Sequence, residues 1–160
     1  MKQMLPGRFS VGNKKLWEEA KIAFFAPDDA EEVVKEKIRC WSGNQAKKGM
    51  CFIGAFHSEA ESALFHAALR NGGKAVWILG KSMPEEFSRD EQKALAENRL
   101  LVVPCFHRER YTRATSRFAN HAAAMNAEAV IFAHISDKSR LYPFFRVLSK
   151  KCPDRITRIK

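Results

Sequence analysis

Met50-Cys-Phe-Ile-Gly-Ala-Phe56 is an unbroken apolar run; His57-Ser-Glu-Ala-Glu61 then opens a helical pattern that reaches Asn71, and after Gly72-Gly73 comes a second apolar run, Lys74-Ala-Val-Trp-Ile-Leu79. A strand that is apolar throughout is buried on both faces, and a helix between two such strands is the crossover that parallel pairing requires. Ser58 with Glu61 three residues on predicts a capping box at the helix start, and the glycine pair predicts its end. The stretch therefore reads strand, helix, strand within a parallel sheet.

The same grammar extends in both directions. Upstream, Lys21-Ile-Ala-Phe-Phe-Ala26 is stopped by Pro27-Asp28-Asp29, and either aspartate suits the cap of a helix over Ala30–Cys40. Downstream come a charged helix over Pro84–Arg99, the run Leu100–Val103 closed by Pro104, a helix over Thr112–Met125, the run Ala129–Ala133, and a helix over Leu141–Lys151 that contains Pro143. Five strands alternating with helices predict an α/β fold: a single doubly wound, mainly parallel five-stranded sheet with helices on both faces. It would occupy residues 21–150, between a basic leader, 1–20, and a basic tail, 151–160. Ligands of such sheets bind beyond the carboxyl ends of the strands, so the loops there are the places to look for function.

A chain of 160 residues with 46% hydrophobic residues, 12 of them Phe, suits one domain with a substantial core. No apolar run approaches the roughly 20 residues of a membrane span, so no membrane partner is expected. The first 20 residues lack the apolar core of a secretory signal, which predicts a cytoplasmic protein. Cys40, Cys51, Cys105 and Cys152 form no CxxC pair, so reduced thiols are expected rather than a zinc module or a disulfide scaffold. The net charge of +10 attracts polyanions, and its distribution is uneven. Residues 137–160 hold eight basic and two acidic side chains, while Arg108, Arg110, Arg113 and Arg117 are opposed locally only by Glu109. A solvated surface and a nucleic-acid footprint both account for this excess.

In the loops, Gly54 stands at the turn after a strand and Ser58 at a helix start, where backbone N–H groups could receive a phosphate, although Ser58 is equally an ordinary cap. The chain has neither GxGxxG nor GxxxxGK[ST], which disfavours a dinucleotide fingerprint and a P-loop. Cys105 and His107 are two apart and read as structural rather than as an activated thiolate, and the other histidines lack metal-ligand spacing. No metal site, catalytic group or cofactor is assigned. Arg110, Arg113 and Arg117 recur at helical spacing and form a basic stripe, one turn before Asn120 and His121. Tyr111 or Phe118 beside them could offer an aromatic face to a base, Phe118 being otherwise a core residue.

The order of these motifs resembles the Rossmann-like domain of the DNA-processing protein A family, also called Smf, which shares a superfamily with the lysine-decarboxylase-like LOG proteins. Gly54, Phe56, His57, Ser58 and Glu61 fit the short G-G-F-H-S-x-x-E form of the family's S-G-G-A-R-G-I-D motif. Ala68-Leu69, Gly72-Gly73 and Lys74–Gly80 are similar to its A-L, G-G and I-A-V-L-G segments. Its R-N-R-I-I-A-G-L-S-D-A-V-V-V stretch aligns from Ala119 onward, matching Asn120, Ala124, Ala129 and Val130, with Glu128 for its Asp. Ala119 and His121 replace the two arginines that flank the family's Asn, Lys138-Ser139-Arg140 stands where its Gly-Ser turn does, and the LOG motif PGGxGTxxE has no counterpart. The resemblance implies a Rossmann-like fold and, since the best-known members bind single-stranded DNA and load a recombinase, a place in DNA uptake and recombination.

Two functions follow as expectations. One is a non-enzymatic domain that holds single-stranded DNA or another nucleic acid through Arg108, Arg110, Arg113 and Arg117, with phosphates also at Gly54, His57, Ser58, Glu61 and Asn120. The other is a nucleotide or phosphorylated-metabolite binding protein or hydrolase, its ligand at the carboxyl edge of the strands and Glu61 or His57 handling protons. The first is favoured; a homo-oligomer is compatible with either.

Overall fold

Each of the five apolar runs forms a strand. In chain order the elements are β1 (Val11–Gly12), β2 (Lys21–Phe25), α1 (Glu32–Lys47), β3 (Cys51–Gly54), α2 (Glu59–Arg70), β4 (Lys74–Leu79), α3 (Arg89–Ala96), β5 (Leu100–Pro104), α4 (Arg113–Met125), β6 (Ala129–Ala133), α5 (Tyr142–Lys151) and β7 (Ile156–Ile159). Short 3-10 turns lie at Lys14–Glu18 and Pro153–Arg155. The structure, a computed structural model, describes residues 7, 9–105, 110 and 112–159.

The strands form one sheet in the order β1-β5-β4-β3-β2-β6-β7, with every neighbouring pair parallel except β1 against β5. The expected five-stranded sheet is thus corrected to a seven-stranded, mixed one. Both added strands are edges, drawn from the segments read as leader and tail. β1 has two residues, and β7 reads Ile-Thr-Arg-Ile with its last three residues exposed. Edge strands of this kind lack the continuous apolar run that marks a strand buried on both faces.

From β2 the chain winds outward through β3, β4 and β5, then crosses back to β6 and outward again to β7. Strand order reverses between β2 and β6, so their carboxyl ends bound the crevice where a doubly wound sheet offers a ligand site. Successive residues of each strand serve opposite faces. Ala23, Phe25, Ile53, Val76 and Phe132 pack with Ala119, Ala123 and Leu148 of α4 and α5, while Phe24, Phe52, Ala75 and Val102 pack with Ile38, Leu64 and Ala94 of α1, α2 and α3. Phe144 of α5 meets Phe25 and Phe132 edge-on, with ring centroids 5.3 and 5.8 Å apart, which seats α5 over β2 and β6. At Gly73 a Cβ would fall 2.6 Å from the Ala46 Cβ and 2.8 Å from the Ala68 carbonyl oxygen, so glycine is required where the chain leaves α2 beside α1.

Two helix starts differ from expectation. α1 begins at Glu32 after Glu31, with no side-chain cap from Asp28 or Asp29. α3 begins at Arg89 through a Ser88–Glu91 capping box, five residues beyond Pro84.

Candidate nucleic-acid interface

Ala55 and Phe56 turn the chain out of β3, and Phe56 adopts a left-handed backbone with φ of 54°. Its ring stacks on Phe65 of α2, centroids 4.4 Å apart. A Cβ on Gly54 would lie 3.1 Å from the Phe56 ring, so glycine here admits that ring. Ser58 caps α2, its Oγ accepting the Glu61 N–H at 3.1 Å. The Glu61 carboxylate also reaches across to the residue that follows β2, where Oε2 accepts the Ala26 N–H at 3.2 Å. Both side chains are 4% exposed, so each is committed to holding the loop together.

Burial dominates the electrostatics here. It pushes the Glu61 carboxyl up to about 7, against hydrogen bonds from Ala26, Ser58 and His57 that favour the ionised form; Asp28 adds to the rise. His57 is held below its ordinary value, chiefly by burial, with Asp28 opposing. The Cys105 thiol is pushed up to about 11 by burial, which keeps it protonated. His107, Arg108 and Tyr111 lie outside the described residues.

Both the Gly54–Ser58 loop and the start of α4 stand at the carboxyl edge of the sheet, two strands apart. The groups beyond them separate: Glu61 rises with α2 on one face and Asn120 sits on α4 on the other. The Asn120 Oδ1 is buried and has no hydrogen-bond partner among the described residues. Gly54, His57, Ser58 and Glu61 lie together at the exit of β3 and the start of α2, while Asn120 lies on α4, whose neighbouring Ala119 packs in the same core cluster as Ala55 of that loop.

α4 is entered through Thr112, whose Oγ1 accepts the Thr115 N–H while the Thr115 hydroxyl oxygen accepts the Thr112 N–H. This turns Arg113 and Arg117 outward; both are exposed, as is Arg110 just before the helix, and none makes an ion pair with a described residue. The contrast with the α1–α2 groove is sharp. That groove, about 520 Å3, is lined by Lys35, Arg39, His57, His66 and Arg70 among others, yet its cations are answered at short range. Lys35 lies 2.6 Å from Glu59, Arg39 2.9 Å from both Glu32 and Glu36, and Arg70 2.8 Å from Asp90.

A cleft of about 420 Å3 marks the reversal of strand order, lined by Pro27, Asp29, Glu31, His134, Ser136 and Lys138 among others. His134 leaves β6 with a left-handed φ of 57°. Of these post-β6 residues, Lys138 falls in the segment that stands in place of the family's Gly-Ser turn, and His134 and Ser136 were not singled out. What joins them to Pro27, Asp29 and Glu31 is the adjacency of β2 and β6.

No protein-family model and no curated protein sequence matches the chain. Among solved structures it is similar to DNA processing protein A from Helicobacter pylori, described for its single-stranded DNA binding mode, with a TM-score of 0.73 at 15% identity over 94% of this chain and 70% of that one. It is similar also to DNA processing protein A from Streptococcus pneumoniae, with a TM-score of 0.73 at 17% identity over 94% of this chain and 54% of that one. The chain thus shares the α/β fold of these proteins and spans about half the length of the pneumococcal one.

Proposed function

We propose that this chain, with the fold of DNA processing protein A, is a non-enzymatic domain that holds single-stranded DNA by its phosphates at the carboxyl edge of the sheet. The observation that carries the reading is the exposed series Arg110, Arg113 and Arg117, unopposed by any described acid at the start of α4. Arginines so placed can fork onto phosphate oxygens, and the N-terminal end of the helix adds a favourable dipole. The H. pylori protein of the same fold supports single-stranded DNA as the ligand. On this reading Gly54–Ser58 borders the site and keeps its shape, no cofactor is needed, and the protein acts in the cytoplasm in DNA uptake or recombination.

The test is titration of a fluorescent single strand at several salt concentrations. Binding dominated by phosphates gives a linear fall of log affinity with log salt, with little dependence on base sequence. Arg110→Ala with Arg113→Ala should flatten the slope by about 0.7 per lost contact. An unchanged slope, or no binding at low salt, overturns the reading.

The cleft between β2 and β6 favours a second reading, a nucleotide or phosphorylated metabolite bound there, with Lys138 facing its phosphate. Thermal-shift measurements against a nucleotide panel test it: stabilisation abolished by Lys138→Ala supports this reading, and no shift with any nucleotide removes it.

A further inference from the structure

The two faces of the sheet treat charge differently. α1, α2 and α3 interleave acids with bases and close ion pairs among themselves. α4 and α5 contain no acid at all. Their cations, Arg113, Arg117, Arg146, Lys150 and Lys151, are all exposed, and none is ion-paired to a described residue. The same two helices carry exposed apolar side chains, Phe118 at 46% and Val147 at 49%.

The placement of these groups is regular. α4 and α5 both start at the carboxyl edge and run back over the same face, as crossovers between parallel strands must. Arg117-Phe118 and Arg146-Val147 are the fifth and sixth residues of their respective helices. Each helix thus presents a cation next to an apolar side chain at the same distance from the edge. A second copy of this chain is a poor occupant, because its matching surface would bring cation against cation. An occupant has to meet both the cations and the apolar side chains beside them. An unpaired nucleic-acid strand offers both, with a phosphate per nucleotide and bases free to lie on apolar or aromatic groups.

We propose that the outer face of α4 and α5 is a track for single-stranded DNA, with Arg146, Lys150 and Lys151 contacting phosphates and Phe118 stacking on a base. The track continues the site at the carboxyl edge, so it rests on the single-stranded DNA reading above. It adds α5 to the interface and gives the protein a reason to prefer single strands, since the bases of a duplex are not free to reach Phe118.

The experiment compares four proteins for binding to a single strand and to a duplex of equal length across a salt series: wild type, Arg110→Ala/Arg113→Ala, Arg146→Ala/Lys150→Ala/Lys151→Ala, and Phe118→Ser. The α5 variant is expected to flatten the single-strand slope by about 2, from three contacts at roughly 0.7 each. Phe118→Ser should weaken single-strand binding roughly tenfold with the slope unchanged and leave duplex binding as it was. Unfolding midpoints confirm that each variant is folded. If the edge variant lowers the slope and the α5 variant does not, the track is refuted while the edge site stands. If wild type fails to bind a single strand at low salt, both fall. Binding of the α5 surface to anionic vesicles in place of DNA, shown by a loss confined to the α5 variant, would also overturn the track.

Discussion

Glu61 is the residue whose behaviour departs most from its sequence reading. A glutamate three residues after a serine predicts a capping partner, but its carboxylate bonds the Ala26 N–H of the neighbouring strand's exit and is buried. Its folded pKa, about 7 against an ordinary 4.5, is raised, so the native state binds the proton more tightly than the unfolded chain does. The carboxyl imposes no penalty below pH 4.5, where both states are protonated. Stability is lost as pH rises from 4.5 to 7, and above 7 the full cost, about 3 kcal/mol, is present. Glu61→Gln keeps an acceptor for Ala26 and cannot ionise. Its melting temperature should therefore fall less than that of wild type between pH 5 and 8; parallel profiles for the two proteins would show that Glu61 is not buried as described. The sequence pattern identified Glu61 and Ser58 as a pair, but burial of this depth comes from the start of α2 meeting the exit of β2 at Ala26, a long-range contact that no local pattern encodes.

At the scale of elements, α4 is the instructive case. Its extent, Thr112–Met125, was legible from the helical pattern, whereas the cap that sets its start, a reciprocal Thr112–Thr115 pair without the usual acid, is seen in the structure. Thr112→Ala removes the acceptor for the Thr115 N–H and should cost about 1 kcal/mol in urea unfolding. Under the proposed function it should also weaken single-stranded DNA binding, because Arg113 loses its fixed start; stability reduced with binding untouched would separate the cap from the site. α3 shows the limit of the same reasoning. Pro84 is an acceptable first helical residue, yet the Ser88–Glu91 box satisfies two backbone donors reciprocally, and the helix begins there.

The whole molecule is decided by the order of strands. β7 closes one margin of the sheet and is held by Arg158, whose Nη2 donates to the Ile135 carbonyl oxygen at 2.9 Å and whose guanidinium lies over the Phe145 ring at 5.4 Å. Arg158→Ala should speed amide exchange in β7 while β2, β3 and β4 keep their protection, because β7 pairs on one side only and those three on both. Uniform loss of protection would mean that β7 supports the entire sheet. Alternation of strands with helices and the mainly parallel sheet were readable from the sequence, since continuous apolar runs and helical spacing are local consequences of which side chains must leave water; of the expected arginine stripe, Arg113 and Arg117 lie on α4 and Arg110 precedes it. The edge strands, the cleft between β2 and β6, the burial of Glu61 and the division of charge between two faces emerged only in the tertiary structure. Each depends on which segments become neighbours across the sheet, and that is settled by the sum of long-range contacts rather than by any stretch of the chain.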